Sequence, residues 1–154
     1  MNRFARRSAF SILAGLLLTL AVAPLAVATE TDPIQARQDA MEGVGDAMKA
    51  LSAIAKKQVP FDAAVVQKNA KTIAGHLESA QKLFPVGSDK GGIETWAKAE
   101  IWANKADFDV KMKAGHDAAL ELAKVGEEAA FMPALGKLGN TCKSCHESFR
   151  RPKE

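Results

Sequence analysis

The chain has 154 residues, a formal charge of +3, 47% hydrophobic residues, two cysteines and no tyrosine. Residues 1–28 hold three of the 21 Lys+Arg and none of the 18 Asp+Glu, so the remaining 126 residues are formally neutral at 18 against 18. That balance excludes nucleic-acid binding driven by bulk charge, two cysteines exclude a disulfide scaffold, and 126 residues suit one domain with one core.

Taken in order, the chain opens with a secretory signal. Arg3, Arg6 and Arg7 form a basic start, residues 12–22 are apolar, and Ala26-Val27-Ala28 offers a small-x-small cleavage site. Cleavage is expected after Ala28. An uncleaved anchor fits less well, because the apolar run is short for a bilayer span and Pro24 interrupts it. The Arg6-Arg7 pair suggests twin-arginine export, but Phe10 sits one position late for that motif. The domain is therefore expected over 29–154, with no stable membrane insertion after cleavage.

Beyond the signal no stretch alternates like a strand. Apolar residues recur at steps of three and four, the mark of amphipathic helices. A first helix opens at Asp32-Pro33, a cap followed by proline at the first helical position. Its seam reads Ile34, Arg37, Met41, Val44, Met48, Leu51 and Ala55. A second helix is capped by Asp62, carries Val66, Ala70, Ile73, Leu77, Ala80 and Phe84, and is stopped by Pro85.

Residues 85–95 form a Gly-rich connection without periodicity, long for a helical bundle, which makes a functional or covering role plausible. A third helix is predicted over 97–124, with Ile101, Phe108, Met112, Gly115, Ala119 and Leu122 inward. A turn at Val125-Gly126 leads to a fourth, with Phe131, Leu135, Leu138, Cys142, Cys145 and Phe149 on its seam and Pro152 closing it. Four such helices with mostly short links define an all-α fold, an antiparallel up-down-up-down four-helix bundle.

The fourth helix carries the chemistry. Cys142-Lys-Ser-Cys145-His146 has the spacing of c-type haem attachment. On a helix these three residues share one face, so both thiols can add to the haem vinyl groups while the imidazole reaches the iron. A disulfide within one helical turn is poorly placed and leaves His146 unexplained. A zinc site wants a fourth ligand, and only His76 and His116 remain. A redox CxxC belongs near the start of a helix after a strand. One covalently attached haem c is the reading adopted. Haem is attached outside the cytoplasm in bacteria, so general secretion to the periplasm fits best.

The topology then picks a second ligand. In an antiparallel bundle the start of the first helix lies beside the end of the fourth. His146 lies about 9 Å from the end of its helix and Met41 about 12 Å from the start of the first, at 1.5 Å per residue, while Met48 lies roughly 10 Å deeper. Met41 is therefore expected to face the iron. Five of the seven aromatics beyond residue 28 (Phe84, Trp96, Trp102, Phe108 and Phe149) should gather at that end, as a porphyrin pocket requires. Arg37 on an apolar seam needs a partner, either a haem propionate or solvent reached by snorkelling. Arg150, one turn after His146, lies along the proximal haem face or serves the helix dipole. His76 and His116 are expected at the surface.

The mature chain resembles the class II c-type cytochromes, the cytochrome c′ family. The likeness rests on Arg37-Gln38 with Met41, on Pro60-Phe61-Asp62, on Trp102 and on CKSCHESFRR near the C-terminus. It is similar to the low-spin cytochrome c-556 type in LSAIAKKQVPFD, KLFP and IWANKADFD. The resemblance implies covalent haem at Cys142 and Cys145, His146 as proximal ligand and Met41 as sixth ligand. It implies a single-electron carrier rather than an enzyme, working with periplasmic or membrane-bound redox proteins, and it allows a homodimer. High-spin members of the family, with five-coordinate iron, instead bind nitric oxide or carbon monoxide.

Overall fold

The structure, a computed structural model, describes residues 32–152. The signal peptide expected over 1–28, with its cleavage site, lies outside the described residues. Five helices follow in order: α1 (Pro33–Ala55), α2 (Ala63–Gln81), the one-turn α3 (Glu100–Ala103), α4 (Lys105–Leu122) and α5 (Glu128–Phe149). Among the described residues there is no named strand, and no helix is long and apolar enough to cross a membrane. The architecture is the expected four-helix bundle, with α3 as a short lead into α4.

The two predicted caps are in place. The Asp32 carboxylate accepts from Ile34 N at 2.7 Å with Pro33 at the first helical position, and Asp62 accepts from Ala64 N and Val65 N. Each satisfies a backbone donor the helix leaves orphaned, worth about 1 kcal/mol. The core runs along the bundle through Leu51, Val66, Ile73, Leu122 and Leu138, all fully enclosed.

Several boundaries differ from the sequence reading: α2 already ends at Gln81, so Phe84 lies in the connection beyond it rather than on the helix. The helix predicted over 97–124 is broken at Asn104, whose backbone (φ −125°, ψ 46°) is not helical, and it starts later. Ala97 instead pairs in an antiparallel bridge with Arg150. That same pairing ends α5 at Phe149, three residues before Pro152. The first seam is also rotated: Ala40, Ala47 and Ile54 are core, while Met41, Met48 and Ala55 are half-buried beside it. Small residues at 40 and 47 let α1 approach its neighbour closely and turn the larger side chains toward the flank.

The packing sequence is α1 on α2, α2 on α4 and α4 on α5, whereas α1 and α5 barely touch. A cleft between the first and last helices results, and the site lies there.

Candidate haem site

One cavity has α1 and α5 as its walls. Arg37, Gln38 and Met41 come from α1, and Cys145, His146 and Phe149 from α5, with Arg150 just beyond its end. Phe84, Ile101, Phe108 and Met112 line it, and Thr95, Trp96 and Ala97 of the α2–α3 connection bound one end. Met41 and His146 thus share a cavity, as the antiparallel register predicted. The lining is overwhelmingly apolar, around a cleft of about 120 Å³.

The aromatic side chains meet edge to face. Phe108 lies 4.6 Å from Phe84 and 5.3 Å from Phe149 between ring centroids, at interplanar angles of 65° and 90°. Trp102 stands 5.9 Å from Phe84, and its indole N–H donates to Pro85 O at 2.8 Å, so it backs the lining. Such pairs add about 0.5–1.5 kcal/mol each beyond area burial. Of the five aromatics expected at this end, four line the cavity and the fifth supports them.

Cys142 and Cys145 are half-buried free thiols at the edge of the core rather than within it. Burial raises both pKa values, that of Cys145 to about 11, so the sulfurs stay protonated thiols. Burial, and then the charge of Arg150, lowers the pKa of His146 and favours the neutral imidazole, the form that ligates a metal. The Cys145 thiol and the neutral His146 imidazole open on an apolar, aromatic cavity, with the Cys142 thiol one turn earlier on the same helix, a set that fits a haem. Cys142 and Cys145 would hold it through thioethers, each formed by adding S–H across a vinyl C=C, and His146 would reach the iron. Bound there, the haem would supply a redox-active iron.

Arg37 is 4% exposed, and its surroundings were not legible in the sequence. Its guanidinium donates to Ser88 O (2.9 Å), Thr95 Oγ1 (2.8 Å), Ser88 Oγ (3.2 Å) and, more weakly, Leu83 O (3.4 Å). It also stands 5.0 Å from the Phe84 ring centroid and 5.5 Å from that of Trp102. Its charge is thus met by the α2–α3 connection, neither by solvent nor by a carboxylate alone, and burial still lowers its pKa. Arg150 is exposed at the cavity rim, and its N–H donates to His146 O at 3.0 Å.

Several lining residues escaped the sequence reading. Met112, expected in the core, is both core and lining; Thr95 lies in a connection without periodicity and carries no sequence signal; Gln38 adjoins Arg37 and lines the cavity with it. The expected surface position of the histidines is corrected as well. His76 is half-buried against Gly43, and the His116 side chain is 28% exposed.

An antiparallel helical bundle with CxxCH near the end of its last helix, facing a cavity of this kind, defines a c-type haem protein of the bundle class. The family model described as Cytochrome C' matches residues 32–150. Cytochrome c′ of Pararhodospirillum photometricum is 42% identical over 120 residues, covering 76% of this chain and 94% of that protein. Cytochrome c-556 of Agrobacterium fabrum is 37% identical over 122 residues, covering 78% and 82%. The solved cytochrome c′ of Rhodopseudomonas palustris superposes with a TM-score of 0.76 at 36% identity, covering 81% of this chain and all of that one. The chain belongs to the cytochrome c′ family, and it carries one covalently attached c-type haem.

Proposed function

We propose that the chain is a periplasmic, high-spin haem protein of the cytochrome c′ type. His146 is the strong axial ligand, and the opposite face of the haem admits a small neutral diatomic molecule such as nitric oxide or carbon monoxide. Cys142 and Cys145 anchor the haem, and Arg150 at the cavity rim meets its carboxylates, whereas Arg37 is taken up by Ser88 and Thr95 of the α2–α3 connection. This replaces the His/Met electron carrier as the leading reading.

The supporting observation is the lining. Met41, Phe84, Ile101, Phe108 and Met112 offer no acid, no base and no hydrogen-bond donor, and the donors of Arg37 and Gln38 are directed at the α2–α3 connection. An apolar chamber suits an uncharged diatomic ligand and lacks the acid–base group that peroxidase chemistry needs. Relatives are named cytochrome c′, and solved structures of the L16A and L16V mutants of cytochrome c prime from Alcaligenes xylosoxidans are nitric oxide complexes.

A second reading is favoured by one specific residue. Met41 presents a thioether to the cavity across from His146, and relatives named cytochrome c-556 match at similar identity. With Met41 as sixth ligand the iron would be low-spin, and the protein a single-electron carrier to redox partners. Absorption and EPR spectra of wild type and Met41→Ala separate the two. A high-spin wild type, unchanged by the mutation and binding carbon monoxide when reduced, supports the first. A low-spin wild type whose weak red sulfur-to-iron band disappears in Met41→Ala overturns it in favour of the second.

A further inference from the structure

Residues 94–98 cross the open end of the cleft as a strap, and they are tied to both walls. On the α1 side, Gln38 Nε2 donates to Glu94 O at 2.6 Å and Arg37 donates to Thr95 Oγ1 at 2.8 Å. On the α5 side, Arg151 N donates to Trp96 O at 2.8 Å and Lys98 N to Phe149 O at 3.0 Å. The Arg151 guanidinium donates to Thr95 O as well. Thr95, Trp96 and Ala97 themselves line the cavity.

The placement of these ties matters more than their number. Arg37 and Gln38 are one helical turn before Met41, and Phe149 to Arg151 are about one turn after His146. Because α1 and α5 barely touch directly, the strap fastens the two walls at the level of the two residues that face each other. Thr95 is the joint, with its hydroxyl held from α1 and its carbonyl held from beyond α5.

We propose that the strap, through Gln38 and Thr95 as positioning residues, sets the separation between Met41 and His146. It thereby controls how closely Met41 crowds the sixth position of the iron. A tight strap holds Met41 over that position; a loosened strap lets α1 swing away and opens it. The proposal rests on haem binding at His146 but not on which spin state the wild type adopts, because a shift in crowding is visible in either.

The test uses the holoprotein of wild type, Thr95→Val, Thr95→Ser and Gln38→Ala. Amide hydrogen exchange at Lys98 and Arg151 reads the strap, while EPR spin state and the carbon monoxide association rate of the ferrous protein read the iron. Thr95→Val and Gln38→Ala should speed exchange at both amides. They should also raise carbon monoxide association, or the high-spin fraction, about fivefold, the population change one net hydrogen bond produces. Thr95→Ser should restore wild-type behaviour. Faster exchange with an unmoved spin state and association rate would overturn the proposal, and so would unchanged exchange in both loosening variants. Failure of Met41→Ala to alter the spectra would bear on the ligand assignment alone.

Discussion

The imidazole of His76 on α2 lies against Gly43 on α1, so that a β-carbon built on Gly43 would stand 2.3 Å from His76 Nε2. Glycine here serves close approach rather than an unusual backbone conformation. In a helix interior it costs roughly 0.5–1 kcal/mol relative to alanine. Gly43→Ala in the wild-type background should therefore gain little or lose stability, since the His76 ring must move. In a His76→Ala background the same change should stabilise by about 1 kcal/mol. A denaturant-unfolding double-mutant cycle reads the difference, and strict additivity would show that the ring yields freely.

Arg37 should be the most sensitive polar position in the bundle. Arg37→Met removes a charge that is 4% exposed but leaves Ser88 O and the Thr95 hydroxyl without their donor. A loss of about 3 kcal/mol is expected, in the range for breaking a buried charged network. Arg37→Lys should recover little, because an ammonium cannot reproduce a planar fork that reaches Ser88 and Thr95 while stacking on two rings. Urea-denaturation midpoints of the two variants check this; a lysine variant near wild type would contradict it.

Phe108 joins the two aromatic contacts inside the cavity and is 2% exposed. Phe108→Ala should cost about 3–5 kcal/mol. Coupling to Phe149, measured against Phe149→Ala, should be about 0.5–1.5 kcal/mol. Phe61 and Phe131, paired 5.8 Å apart outside the cavity lining, supply the comparison. Phe61→Ala should destabilise without altering the haem spectrum.

A smaller pH effect sits on α4. Asp117 has its pKa lowered, first by the hydrogen bond from Lys113 and then by that from His116. Its folded-state pKa lies below the unfolded value, so its contribution is present above the unfolded pKa and is lost as pH falls through the folded one. The pair is exposed and salt-screened, so the contribution to stability is slight. An NMR titration should show the Asp117 midpoint rising in Lys113→Ala.

The parts of the molecule written locally were legible in the chain. Asp32 with Pro33, and Asp62, announce helix starts because a cap needs only its own next few residues. Cys142, Cys145 and His146 announce a haem because one helical turn fixes their geometry. The facing of Met41 and His146 followed from topology alone. What could not be read depends on residues far apart in sequence. The partners of Arg37 lie 46 to 58 positions away, in a connection without periodicity. The Ala97–Arg150 bridge joins two residues that lie in no strand, and it ended two helices earlier or later than their patterns implied. Asn104 breaks a helix whose apolar rhythm continues on both sides of it, so periodicity ran straight through.

The scant contact between α1 and α5 carries a consequence for the life of the protein. The first and last helices make little direct contact along this flank, and a haem held by Cys142, Cys145 and His146 would fill the space between them against Phe84, Phe108 and Met112. A chain without attached haem should then be cleaved faster along this flank than the holoprotein, which limited proteolysis of the two forms would read.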